Sequence, residues 1–460
     1  MVGMHLGMHR AGVRDAGFGQ HGGRCAEQRG GGEARQHPAL VPGRGGACYM
    51  PCMRRAALAL AFLVCSGARA DGAFPTGMSV MLPAGAPQRI LLGTTFGLVV
   101  SEDAGATWRY VCEPHLTGSG FSVLVYQAAR NGEIVAAHQD ALSSSSDLCT
   151  WTRATGSISG LLVLDAFIDP SNPSSVLAIA WPPTAGAALL ASTDAGHSFG
   201  PALLQSGTPQ VHADERLLSV EIAASAPAVV YATTLAPSSA SSTAALLRSG
   251  DGGASWTRFE LGVDRLAQVK IAQVDPADAN TVYLLVSAAA ADEIRMTSDG
   301  GATIQTLLAP RTTITGFVRA SDGALYAGSQ SGDFYVRAPG AAVFQRLPGP
   351  HLRCLGERAG RVYACGDAAT DGYDLATTDD RGKSFQKLLT FTQIVGPLAC
   401  PEVASACAVD FAQLQRTLAG VPGAGNCSCG HPGSGSGGAL LILLAAALRR
   451  RRRAPGTDRR

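Results

Sequence analysis

Between Thr76 and Thr392 the apolar residues come in short runs and not at helical spacing. RILLGTT and GLVVS near the start, VVYATTL and ALLRS in the middle, and RVYACGD and DLATT near the end are typical. They are rich in Val, Leu, Tyr and Thr and are broken by Gly, Ser or Asp, the pattern of strands joined by tight turns. A third run, such as TWRYVC or SWTRFEL, follows each pair. A further run precedes it, such as FSVLVYQ, LLVLDAFI, LLSVEIA or LAQVKIA. The pattern therefore predicts units of four strands. Helical spacing first appears at VDFAQLQRTLAG, where Phe411, Leu414 and Leu418 share a face and Gly420 stands at the end.

One short box punctuates these units. SEDAGATW (Ser101–Trp108), STDAGHSF (Ser192–Phe199), SGDGGASW (Ser249–Trp256), TSDGGATI (Thr297–Ile304) and TDDRGKSF (Thr378–Phe385) share Ser/Thr-x-Asp-x-Gly-x-Ser/Thr and a closing aromatic or Ile. Two worn copies fill the gaps: SSDLCTW with Asp147 and Trp151, and APGAAVF, which has lost its acid. The markers Asp103, Asp147, Asp194, Asp251, Asp299, Pro339 and Asp380 follow one another at spacings of 40 to 57 residues. A period of that length with strand-like flanks predicts an all-β fold, a single seven-bladed β-propeller of four-stranded blades.

The box itself reads as a turn between the third and fourth strands. Gly253 supplies a positive φ, Asp251 accepts hydrogen bonds from turn amides, and Trp256 packs the hairpin. The same roles fall to Gly105 and Trp108, to Gly196 and Phe199, to Gly301, and to Gly382 and Phe385. A calcium loop needs several oxygen ligands, and these copies offer one shared acid each. A phosphate loop needs Gly-Lys-Ser/Thr closing a longer glycine loop, and RGKSF lacks the first glycine, position 377 being Thr. A second element, IDPSNPSSVLAIA with Asp169 and VDPADANTVYLLV with Asp275, reads as a turn between first and second strands.

These motifs resemble the Asp-box (BNR) repeats of sialidases, sortilin-type receptors, xyloglucanases and photosystem assembly factors. The resemblance covers most of residues 76–392 and implies the fold far more than the chemistry. A sialidase would need an arginine cluster, a tyrosine nucleophile and an acid. AFPTGMS stands at the first strand without arginine, and Arg311 is a poor substitute. For a glycoside hydrolase the best carboxylate pair is Asp165 and Glu221, both on inner strands. No His-Glu-x-x-His occurs, and no Ser-His-Asp arrangement follows from spacing. The histidines His115, His138, His197, His212, His351 and His431 are scattered singly and read as surface or turn residues. No cofactor or metal pattern is present.

The two ends of the chain change the picture of where it works. Residues 1–52 are rich in Gly, Arg and His without periodicity and read as an upstream extension. Residues 53–70 read as a signal peptide: Met53-Arg54-Arg55, an apolar core Ala56–Val64, and Ala68-Arg69-Ala70. Residues 71–392 are the propeller, 393–425 a disulfide-bonded extension, and 426–460 a tail. The tail carries Cys427 and Cys429, a Gly/Ser spacer, the apolar run Ala439–Leu448 and the block Arg449–Arg453. It resembles the MYXO-CTERM sorting signal of myxobacterial surface proteins, which implies that Cys427 or Cys429 is the anchoring residue. The stretch from Cys354 to Asp410 is similar to the closing blade of myxobacterial secreted propellers.

Export gives the body cysteines Cys112, Cys149, Cys354, Cys365, Cys400 and Cys407 an oxidising setting. Of the fifteen possible pairings, closeness along the chain favours Cys354–Cys365 and Cys400–Cys407, leaving Cys112–Cys149. A composition of 46% hydrophobic and 16% charged residues leaves material for a large core. The net charge of +2 offers no groove for nucleic acid. The expectation is a monomeric, non-catalytic secreted or surface binding protein for a protein or glycan, touching membrane only through its tail. A sialidase- or xyloglucanase-like glycoside hydrolase and an envelope assembly or receptor factor are the alternatives.

Overall fold

The computed structural model describes residues 75–420 apart from 119–122, 183–185, 237–243, 265 and 290. The extension 1–52, the signal segment 53–70, and the tail 426–460 with Cys427 and Cys429 lie outside the described residues. Seven four-stranded antiparallel sheets follow one another along the chain. Their innermost strands are Gly77–Met81, Val123–Ala128, Leu162–Ile168, Arg216–Ile222, Gln268–Val274, Ile314–Arg319 and Cys354–Arg358. Each packs on the next, and Cys354–Arg358 returns to Gly77–Met81, so the blades close a seven-membered ring as expected. Apolar residues between adjacent blades form the core. Leu91, Val99 and Val111 of blade one and Val282 and Leu284 of blade five, for example, are completely buried.

The box turns hold their blades by a repeated set of bonds. In blade four, Ser249 Oγ donates to Asp251 Oδ1 at 2.8 Å and accepts from the Gly253 amide at 2.8 Å. Ser255 gives its amide to Asp251 Oδ1 at 2.8 Å and its hydroxyl to Oδ2 at 2.6 Å. Trp256 Nε1 closes the loop on the Gly253 carbonyl at 3.0 Å. Asp103, Asp194, Asp299 and Asp380 repeat the pattern. In the worn copy, Asp147 accepts the Cys149 and Thr150 amides, each at 2.8 Å. Both carboxylate oxygens of each full box are thus spent inside its turn. Those bonds hold Asp103, Asp194, Asp251 and Asp299 down at about 2, their hydroxyl partners being the largest cause. The box glycine also joins blades. Gly301 has φ +115°, and a Cβ there would lie 2.6 Å from the Phe259 ring on the outer strand of blade four.

Every blade is a chain-consecutive meander, so no strand from one end of the chain completes a blade at the other. Closure comes from the extension. Residues 394–398 run parallel to the outer strand of blade one, Arg109–Cys112. Val395 and Leu398 give their amides to the Trp108 and Tyr110 carbonyls at 3.0 and 2.8 Å, and Tyr110 gives its own to Gly396 at 3.0 Å. Two helices follow, Pro401–Ala406 and Ala408–Leu418. The second was legible: Leu414 is buried, Phe411 and Leu418 pack on blade one, and Gly420 turns the end at φ +67°.

Two expected disulfides are corrected here. Cys112 bonds Cys407 and Cys149 bonds Cys400, across sequence separations of 295 and 251 residues. Ring closure brings the extension back beside blades one and two. Closeness along the chain therefore misleads: Cys400 and Cys407 flank a short helix and reach different blades. Cys354–Cys365 pairs as expected, because these residues lie opposite each other on the first two strands of blade seven. It sits against Gly77 of blade one, at the seam.

Candidate functional site

The inner strand of a blade is paired on one side only, so its other edge presents unpaired amides toward the channel. Between blades three and six, polar side chains of one inner strand meet the amides of the next. Asp165 Oδ2 accepts from the Val220 amide at 2.9 Å. Glu221 Oε1 accepts from Val274 at 2.9 Å, and Ser219 Oγ from Ile271 at 3.3 Å. Gln273 Oε1 accepts from Arg319 at 2.8 Å. Bulges after Val163 and Leu217 break the strict alternation on those strands and re-aim the following side chains.

Asp165 and Glu221 thus come together, lining a cavity of about 50 Å³ with Gln127, Phe167, Leu218 and Lys270. At ~30 Å³ per water molecule, that is room for one or two waters and not for a sugar ring. Burial pushes Asp165 up to about 6, against the Val220 amide and the Lys270 ammonium, which pull it down. Burial pushes Glu221 up to about 8; the Val274 amide opposes this and the Asp165 charge adds to it. Burial also lowers Lys270, with Asp165 opposing. At neutral pH Glu221 therefore carries a proton while Asp165 is mostly ionised.

At the face where the chain enters the inner strands, Arg216 lies 4.7 Å over the Trp181 ring. The Trp181 indole donates to the Leu217 carbonyl at 2.8 Å. Leu266, just before the inner strand of blade five, is 67% exposed. Composition gave no sign of the Trp181–Arg216 pair, because its two members come from neighbouring blades.

Elsewhere the structure assembles a trio that spacing could not reveal. Ser143 Oγ is 3.1 Å from His138 Nε2, and His138 Nδ1 is 2.8 Å from Asp140 Oδ1. The tautomer with Nδ1–H donating to Asp140 and Nε2 accepting from Ser143 satisfies both. His138 is fully buried, which corrects its reading as a surface residue: it fastens the second hairpin of blade two from inside. Asp140 is also paired with Arg153 at 2.6 Å, and Ser143 is buried, so the trio offers no substrate access. Asp169 accepts the Ser171 amide at 2.7 Å and Asp275 the Ala277 amide at 2.9 Å, each fastening its turn, and Asp275 also pairs with Arg319 of blade six at 2.7 Å. Arg311 is exposed, and among the described residues no three His, Cys, Asp or Glu side chains converge for a metal.

No protein-family model matches the chain, and no curated protein matches it. Solved propellers do. YCF48 bound to a D1 peptide matches at 16% identity and TM-score 0.35, over 49% of this chain and 67% of that one. YCF48 from Cyanidioschyzon merolae matches at 14% identity and TM-score 0.44, over 64% and 93%. An ancestral GH74 enzyme matches at 16% identity and TM-score 0.44, over 60% of this chain but only 39% of its own length. At such identities the likeness concerns the fold alone.

Proposed function

We propose that this chain is an exported β-propeller that binds a protein or glycan at the cell surface through its inner-strand entry face, without catalysis. The Arg216–Trp181 pair at the face where the inner strands begin carries the reading. Below the mouth, Asp165 and Glu221 each give an oxygen to the framework of the next blade, and the space between blades is water-sized. At the face where the inner strands begin, the stacked Trp181–Arg216 pair offers an aromatic and cationic surface of the kind that anchors partners, and Leu266 before the inner strand of blade five is exposed. The Asp-box turns serve as the fasteners of the ring. Three disulfides support an oxidising location. Export would use residues 53–70, and attachment would use Cys427 or Cys429 in the tail.

The second reading, a glycoside hydrolase, has one observation in its favour: Asp165 and Glu221 share a cavity with their acidities pushed apart, as an acid and a base require. A glycan array and cell-surface cross-linking with the oxidised chain, run beside hydrolysis assays on xyloglucan and sialosides, separate the two. Capture that falls about tenfold in Arg216→Ala or Trp181→Ala supports binding at the mouth. Turnover of either glycan that disappears in Asp165→Asn overturns it.

A further inference from the structure

The channel cavity holds three polar groups that the framework leaves unused. Gln127 is 8% exposed and lines the cavity, yet its side-chain amide makes no hydrogen bond among the described residues. Lys270 lines the same space and likewise makes no hydrogen bond or ion pair among them. Glu221 uses Oε1 for the Val274 amide and has its second oxygen left over. Lys270 is half-buried and has the Asp165 charge as its neighbour, and neither it nor Gln127 is a sealed, unsatisfied group, so an ion in the channel can reach both donors.

We propose that this cavity binds a small monovalent anion, of the size of formate or chloride, between Lys270, Gln127 and Glu221. The volume of about 50 Å³ admits such an ion and excludes a sugar or a nucleotide. The unused groups are donors: the Lys270 ammonium, the Gln127 amide N–H, and the Glu221 O–H at neutral pH. A metal cation would have to share the space with Lys270. Asp165 is the one opposing charge, and both of its oxygens are engaged, Oδ1 by the Ala166 amide and Oδ2 by the Val220 amide. The other charged side chains of the inner strands have partners. Arg319 pairs with Asp275, Glu357 accepts from Ser321 and Gly360, Arg358 donates to the Arg89 carbonyl, and Arg216 lies on Trp181.

The sign of the pH dependence follows. Ionising Glu221 removes a donor and adds a negative charge, so affinity falls as pH rises through about 8. Protonating Asp165 below about 6 strengthens it. The test is calorimetric titration of the full oxidised chain with sodium formate and, in a separate arm, sodium chloride, in fluoride-free organic-cation buffers at pH 6 and 9. The expected result is one saturable site per chain for at least one anion, about tenfold weaker at pH 9 than at pH 6, one lost hydrogen bond being worth about that factor. Lys270→Met abolishes it, and Gln127→Leu, which leaves every charge in place, weakens it about tenfold. Absence of saturable binding by either anion at pH 6 overturns the proposal. So does binding that Gln127→Leu leaves unchanged, which marks an adventitious surface ion. Loss of anion binding leaves capture at the mouth untouched, so the two sites fail separately.

Discussion

The ring is held in two different ways on its two sides. At the seam, where blades seven, one and two meet the extension, all three disulfides cluster, and a parallel strap lies along blade one. On the opposite arc, blades three to six carry no disulfide and are linked by Asp165, Ser219, Glu221 and Gln273, each accepting an amide of the next inner strand. The seam joins segments nearly 300 residues apart, where the entropy of the open chain is the main opponent, so a covalent link suits it. Neighbouring blades of the arc are close in sequence, and hydrogen bonds suffice to set their register.

Breaking the seam gives the largest expected effect. Cys400→Ser with Cys407→Ser, or reduction of the native chain, costs about 2–5 kcal/mol per bridge. Thermal melts with and without reductant should show a large drop in the native protein and a smaller one in the double variant, which keeps only Cys354–Cys365 among the described residues. A double variant that melts with the native chain removes the extension from ring closure. On the arc, Gly301→Ala places a Cβ in the left-handed region and against Phe259, for a loss of about 2–3 kcal/mol in urea unfolding. The same change at exposed Gly340, where nothing lies within 4 Å, costs only the backbone strain, about 1 kcal/mol.

The arc's acids add a smaller, pH-dependent effect. Glu221 and Asp165 have folded pKa values raised to about 8 and about 6, so the folded chain binds more protons than the unfolded one between pH 4 and 8. Their contribution to stability is complete only below about pH 4, the unfolded range, and is lost as pH rises through the folded values. Glu221→Gln should therefore match the native protein near pH 4 and exceed it by about 1–2 kcal/mol near pH 9, water in the channel discounting the full shift. Equal stability at pH 9 would mean that the carboxyl is not confined as described. On the seam side, buried His138 is held below its ordinary value by desolvation, Asp140 opposing. The unfolded chain then takes up a proton first as pH falls below about 6.5. Stability drops there, and His138→Gln should flatten that limb of the pH profile.

The legibility of these features follows the range of the interactions behind them. The box from Ser249 to Trp256 was readable because its bonds run between residues two to four apart. The strands were readable because alternation and turn residues are local. The pairing Cys354–Cys365 was readable because both ends belong to one hairpin. The pairings of Cys112 and Cys149 were not, and neither was the helix Pro401–Ala406, whose short length leaves no periodicity to detect. Asp165 and Glu221 could be chosen as inner-strand acids. What each carboxylate touches depended on the neighbouring blade.

The sequence by itself determined the repeat, the four strands of each unit, the blade number and the turn chemistry of the boxes. Each of these rests on contacts within a single hairpin or on a period of hydrophobic runs. Only the tertiary structure decided that the extension returns to straps and bridges on blades one and two, that Gln127, Asp165, Glu221 and Lys270 enclose one small space, and that Trp181 meets Arg216 at its mouth. Those outcomes join five different blades, and the closure of the ring, which no local pattern encodes, is what brings them within reach of one another.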